Sequence, residues 1–486
     1  MFVLGLDIGD IGATALLADA DGRVHSEHFV PFAPPPEINL LPPGFLEQSP
    51  ESWWSAAAGS LRSVVESLAA IGESPESVTA IAVSFTDGAV VALGESGKPL
   101  RPAIAAQDTR ATHEAGECNT CGVALTDKLG FTFTSAHVLP KIMWLAKHEP
   151  QVFYDTAFFL HPGDYIVGRL TGDFGLSDTS GALSAGYDPV DHRWPAFIES
   201  ALGVPAGCFP RIVSSGLIIG EVSRACSHET GLAPSTPVVA GVCGDVAEFL
   251  ASGAAAEGEW NLHVASGITI RGASGSLIKD PENRTWCRMH PQDGWILMGE
   301  CNSGAAFAEK LFHGRNHAEL CAYAPMYSPT DMIVYPLVAK GERLPFANPG
   351  AEGFIIGQPR DSRELFTAYL EGAAYMERWC LEVFGELGAK IGDTVFSTGA
   401  VQNAEWMQVR ASVLNRRVVC PRHEGRAFGA AVLAASGTFY SDIETSARAM
   451  SLPAETAEPD PMLVDSYLNR YGRLREACAR RGYGRL

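Results

Sequence analysis

An apolar run over 237–243 leads into Gly244 and Asp245, with another glycine at Gly241. Small residues around a carboxylate let a ligand approach closely, and such a carboxylate can take the proton of a hydroxyl as a general base. An Asp in that place also caps a following helix, and composition and spacing leave the two uses even. Asp7 ends the first apolar run and faces a turn with Gly9, Asp10 and Gly12, whose amides can approach a phosphate. It is equally a turn Asp bonded to its own backbone. Asp108 stands two residues before Arg110, with Thr86 and Asp87 earlier in the chain. Asp108 can pair with Arg110 or Arg101 on the surface.

Cys118 and Cys121 have the CxxC spacing of a zinc or redox site, but only His113 lies near as a further ligand, and structural zinc needs a second ligand pair. Two ordinary surface thiols are the simpler reading. The eleven cysteines have no even, disulfide-type spacing, which suits reduced thiols and a cytoplasmic protein. The N-terminal run lacks a basic segment and carries two Asp and three Gly, so it reads as strand and turn and not as a signal peptide.

These residues need a scaffold. A chain of 486 residues exceeds one ordinary core, and 46% apolar with 19% charged residues is a folded, globular balance. No segment approaches about 18 uninterrupted apolar residues, so no membrane span is expected. With 36 basic against 56 acidic residues, the net charge of −20 disfavours a nucleic-acid partner and suits a neutral small substrate. Residues 1–30 read as three strands joined by a Gly turn and an Asp-Gly turn. A dinucleotide fingerprint would lead from its Gly loop into a helix, so Gly9 and Gly12 do not mark a Rossmann site. The theme returns over 237–271 as strand, helix, strand, Gly turn, strand, which suggests two related domains. Apolar residues at three- and four-residue intervals predict helices over 52–68, 139–147, 362–385 and 404–414, and the alternation of strands and helices gives the α/β class.

Several motifs line up in order over the chain. The first half carries Asp7-Ile8-Gly9, Gly44-Phe45-Leu46-Glu47-Gln48 before Trp53-Trp54, Asp108-x-Arg110, Lys141-Ile142-Met143-Trp144-Leu145, Asp164-Tyr165, and Leu170-Thr171-Gly172 leading into Ser177-Asp178-Thr179-Ser180. The second half carries 241–245, Gly341-Glu342-Arg343 before Pro345, Leu370-Glu371-Gly372, 399–408 and 424–431. Together they resemble the FGGY family of carbohydrate kinases, in the superfamily of hexokinase and actin. The resemblance implies two ribonuclease-H-like (actin-like ATPase) domains, 1–244 and 245–486, with mixed sheets flanking an interdomain cleft that closes on its ligands.

It also implies roles. Asp245 matches the catalytic base and touches the substrate; Thr86, Asp87 and Asp108 match sugar contacts; Asp7 matches the carboxylate that helps hold the Mg²⁺ of ATP. Gly9, Asp10 and Gly12 stand at the first phosphate loop and Gly267, Ile268 and Thr269 at the second, while Gly399, Ala400 and Asn403 meet the adenosine end. Trp53, Trp54 and Trp144 read as packing, and Glu342-Arg343 as a structural ion pair or closure element. The chain departs from the pattern where Asp10 and Ile11 replace a hydroxyl-rich loop and Ile268 replaces a hydroxyl residue. The Asp10 charge is expected to weaken ATP binding. Xylulose kinases carry Gln-Met-His-Gly where this chain has Phe85-Thr86-Asp87-Gly88, and Ala106 stands in place of a Trp.

The function implied is ATP- and Mg²⁺-dependent phosphorylation of a small sugar or polyol, xylulose first among them. A degenerate member that binds sugar or nucleotide as a sensor is the alternative. The family also admits a homodimer.

Overall fold

A computed structural model of the chain describes residues 1–33, 41–399 and 403–484. Its principal elements begin with β1 (Phe2–Ile8), β2 (Gly12–Asp19), β3 (Val24–Pro31), α1 (Pro50–Leu68), β4 (Val78–Phe85), α2 (Val138–His148) and α3 (Pro162–Thr171). They continue with β5 (Ile218–Glu221), β6 (Pro237–Cys243), α4 (Gly244–Ala251), β7 (Trp260–Val264), β8 (Ile268–Ser274), β9 (Thr285–Met289) and β10 (Trp295–Cys301). The last are α5 (Ser362–Glu386), β11 (Thr394–Gly399), α6 (Ala404–Leu414), β12 (Arg417–Pro421), α7 (Arg426–Ala435) and β13 (Pro453–Ala457).

Two compact units result. The first comprises Met1–Ala251, Arg288–Gly294 and Gly425–Met450; the second comprises Ser252–Cys287, Trp295–Glu424 and Ser451–Leu486. The compact units differ from the expected division at 244/245 in two ways. It cuts α4 from β6, which it follows without a break, and it takes no account of the two later segments that return to the first unit. The physical reason is α7, a helix of small apolar residues buried on all sides, which packs on β1, β4 and α4.

The first unit holds a six-stranded sheet ordered β5-β6-β4-β1-β2-β3. Strands β1, β2 and β3 form an antiparallel meander, while β4 runs parallel to both β1 and β6. The second unit repeats the plan in the order β9-β10-β8-β7-β11-β12-β13, where β7, β8 and β10 are antiparallel and β11 runs parallel to β7 and β12. Both sheets are mixed and both units carry helices, as the α/β reading requires. The registers set up the site. Ile8 and Cys243 both stand opposite Phe85, so the chain leaves β1, β4 and β6 at one end of the sheet, the carboxyl end where open α/β sheets hold ligands.

Candidate active site

The parallel register places Asp7 opposite Ser84, whose hydroxyl donates to Asp7 Oδ1 at 2.8 Å. Burial raises the Asp7 carboxyl to about 6, against the opposing pull of the Arg426 guanidinium and the Ser84 hydrogen bond. Arg426 enters at the start of α7, donates from Nε to Glu248 at 2.8 Å and from a terminal nitrogen to Thr86 Oγ1 at 3.1 Å. It fits because residue 244 is glycine: a Cβ there would stand 2.7 Å from Arg426 Nε. Asp245 follows in the first turn of α4, half-buried, and its charge acts on both Arg426 and Arg288.

Arg288 is the second buried cation; it lies in the last part of β9, where the short segment Arg288–Gly294 counted with the first unit begins. It donates to Asp87 Oδ2 at 2.6 Å, while Nδ1 of His161 lies 3.4 Å from Oδ1. Burial alone would raise the Asp87 carboxyl, but Arg288 and His161 outweigh it and hold the group below its ordinary range. Lys141, fully buried, donates to the carbonyls of Gly88 at 2.5 Å, Ala105 at 2.8 Å and Ala106 at 3.0 Å, tying the loop after β4 to the loop carrying Gln107 and Asp108. Burial lowers its ammonium to about 8.

The structure therefore brings Asp7, Thr86, Asp87 and Asp245 together at one sheet end. Asp108, expected as a sugar contact, is enclosed and engaged by neighbouring protein groups. Its carboxylate is 1% exposed and already accepts from Arg110 Nε at 3.0 and 2.9 Å, from the Arg110 amide at 2.8 Å and from the Leu46 amide at 2.6 Å. Those bonds use its lone pairs in holding a loop, and Phe45 and Trp144 flank the same guanidinium. The Gly9 amide closes the first turn onto the Gly12 carbonyl at 3.0 Å, and Asp10 Oδ1 accepts from Gln107 Nε2 at 2.9 Å. Gln48 donates to the Asp10 carbonyl at 2.9 Å. A cavity of about 410 Å³ opens beside this latch, lined among others by Asp10, Ile11, Phe45, Gln48, Trp53 and Gln107.

In the second unit Val264 stands opposite Gly399, which brings the 265–267 turn beside the end of β11. Thr269 is half-buried, whereas Ile268 is 1% exposed, so only its backbone is available to a phosphate. Gly399 has φ +101°, a conformation that suits glycine, and its amide donates to Glu424 at 2.8 Å. Asn403 caps α6 by accepting from the Trp406 amide at 3.1 Å, which favours the capping role over a base contact. Ala400 lies outside the described residues. Glu342 and Arg343 do not pair through their side chains: Glu342 is buried and accepts from Ser303 at 2.6 Å and Tyr335 at 3.0 Å, while Arg343 pairs with Glu300. Burial raises the Cys118 thiol to about 12, Cys121 is exposed, and no metal-holding group of three or more His, Cys, Asp or Glu occurs among the described residues.

The profile of the N-terminal domain of the FGGY family of carbohydrate kinases matches residues 2–250, and that of its C-terminal domain matches 294–438. The chain belongs to this family. As an FGGY chain it is 26% identical to the xylulose kinase of Bacillus subtilis over 96% of its own length and 94% of the relative's. It is 27% identical to the L-xylulose/3-keto-L-gulonate kinase of Escherichia coli, covering 98% and 96%. The crystal structure of xylulose kinase from Rhodospirillum rubrum superposes with a TM-score of 0.84 at 27% identity, covering 99% of this chain and 98% of that one.

Reasoning from sequence did not assign Arg288, Arg426, His161 or Lys141 to the site. Lys141 did leave a signal, a lone cation in the apolar stretch of α2. Arg426 stands within the 424–431 motif, which does not name its distant partners, and Arg288 left no signal.

Proposed function

We propose that this FGGY chain transfers the γ-phosphoryl group of ATP to a hydroxyl of a small neutral sugar, with xylulose the leading substrate and Asp245 the general base. The observation that carries the reading is the position of Asp245, half-buried at the carboxyl end of β6 and within electrostatic reach of two guanidiniums. A carboxylate there can accept the hydroxyl proton while the Arg426 guanidinium offsets charge that develops as the phosphoryl group moves. The names of the relatives support the substrate class.

Asp7 fits the cation that accompanies ATP. Mg²⁺ is held through one or two carboxylates together with waters and phosphate oxygens, and the Asp7 carboxyl is held by Ser84 at the strand end beside the Gly9–Gly12 turn. When bound, Mg²⁺ neutralises phosphate charge and orients the nucleotide. The eleven cysteines are all free thiols, which supports a reducing, cytoplasmic setting.

One observation favours the alternative of a nucleotide or sugar sensor with little transfer: the first loop presents the Asp10 carboxylate, latched by Gln107, where a phosphate would otherwise meet hydroxyls. An ADP-release assay over ketoses, polyols and aldonates decides between them. Transfer predicts sugar-dependent ADP release, fastest with a ketose. Binding of ATP and sugar by calorimetry with no ADP released above background would establish the sensor.

A further inference from the structure

Resting on that reading, we infer that Arg288 and Asp87 form the subsite that reads the α-hydroxyketone end of the sugar, Arg288 donating to the carbonyl oxygen and Asp87 accepting from the neighbouring hydroxyl. The pair sits where the chain leaves β4, beside the exit of β6 that carries Asp245. Its two members have opposite and exclusive hydrogen-bonding capacity: a guanidinium only donates and an ionised carboxylate only accepts. A ketone oxygen only accepts, and the hydroxyl next to it can donate, so an α-hydroxyketone matches the pair atom for atom.

The pair has capacity left for a ligand. Arg288 reaches Asp87 with one terminal nitrogen, and its Nε is buried with no hydrogen-bond partner among the described residues. A buried cationic donor without an acceptor is costly, and a ligand that brings one relieves that cost. Asp87 Oδ2 takes the 2.6 Å bond from Arg288, while Oδ1 takes the Gly88 amide at 2.6 Å with His161 at 3.4 Å, which leaves the carboxylate room for a further donor.

Charge argues for a neutral ligand. The Arg288 cation is already matched by Asp87, and Asp245 acts on the same guanidinium. A sugar acid seated here would bring a third carboxylate to one cation. A neutral ketose brings none. The ion pair thus separates ketoses from aldonates by repulsion, and from polyols because a hydroxyl in place of the carbonyl brings a proton that the guanidinium cannot accept.

Arg288→Met removes donors and charge, and Arg288→Lys keeps both in another shape. The measurement is kcat and KM for xylulose, for xylitol as its reduced counterpart and for ATP, in wild type and both variants, with circular dichroism as the folding control. The Met variant is expected to raise the KM for xylulose at least about tenfold and to reduce the xylulose-to-xylitol ratio of kcat/KM by a similar factor, with the KM for ATP within about twofold. The Lys variant is expected to recover part of the ratio. A folded Met variant with an unchanged ratio overturns the inference, as does a wild type that shows no preference for the ketose. Should the Met variant not fold, Asp87→Asn takes its place: loss of the ketose preference supports the subsite, and retention overturns it. Absence of any sugar-dependent turnover in the wild type removes the proposed function itself, and the subsite with it, which separates the two failures.

Discussion

At the scale of single residues, the site combines carboxylates whose surroundings push them in opposite directions. Asp87 is held ionised by Arg288, whereas burial moves Asp7 from an ordinary 3.8 up to about 6. A carboxyl with a raised folded-state pKa binds its proton more tightly when folded. Its stabilising contribution is therefore fully present below about pH 4 and is lost as the pH rises through about 6. Asp7→Asn removes the buried charge, so without ligand it is expected to be more stable than wild type at pH 7.5, by up to about 3 kcal/mol, and little different near pH 4. Denaturant unfolding at the two pH values measures this. The same variant should lose most of the magnesium-dependent part of ATP binding. An Asn variant less stable than wild type at pH 7.5 would mean that Asp7 is held by its partners more strongly than burial opposes it.

At the scale of elements, the second unit is tied by a fully buried ion pair. Glu377 on α5 accepts from Arg410 on α6 at 2.7–3.0 Å, and Arg410 also donates to Ser397 on β11. Both side chains are 0% exposed, so removing one partner leaves the other charged and enclosed. Glu377→Leu is expected to cost about 3–5 kcal/mol by urea unfolding, and adding Arg410→Met should recover most of that loss. A single substitution costing under about 1 kcal/mol would show that water reaches the site. These elements were the legible part of the sequence, because helix periodicity and Gly-turn strand pairs are local signals. The helices expected over 362–385 and 404–414 form as Ser362–Glu386 and Ala404–Leu414. The pairings Asp87–Arg288 and Arg426–Thr86 were not legible, since no local pattern says which distant cation a carboxylate or hydroxyl meets. The Asp108–Arg110 pairing was one of the two readings the spacing offered, since the partner stands two residues away, but its burial was not legible from so short a pattern.

At the scale of the whole molecule, the two units repeat one strand plan, and the first is completed from the C-terminal part of the chain. Helix α7 lies so close to β1 that a Cβ on Gly5 would stand 1.8 Å from the Ala427 carbonyl oxygen. A chain ending at 251 lacks α7 and exposes the apolar face it covers. Such a fragment is expected to bind a hydrophobic dye and to unfold without a cooperative transition. A sharp cooperative melt of the fragment would contradict the assignment of α7 to that core. All this architecture serves one proposed event, transfer of a phosphoryl group with Asp245 taking the hydroxyl proton. The most direct test is the steady-state turnover of Asp245→Asn with xylulose and magnesium ATP, beside circular dichroism of the same sample. Asparagine keeps the shape but cannot accept the proton, so turnover should fall by about 10² to 10⁴-fold while the fold and most of the sugar affinity remain. A folded variant keeping more than about a tenth of wild-type turnover, outside the loss that removal of a general base brings, would make Asp245 a helix cap and contradict the account.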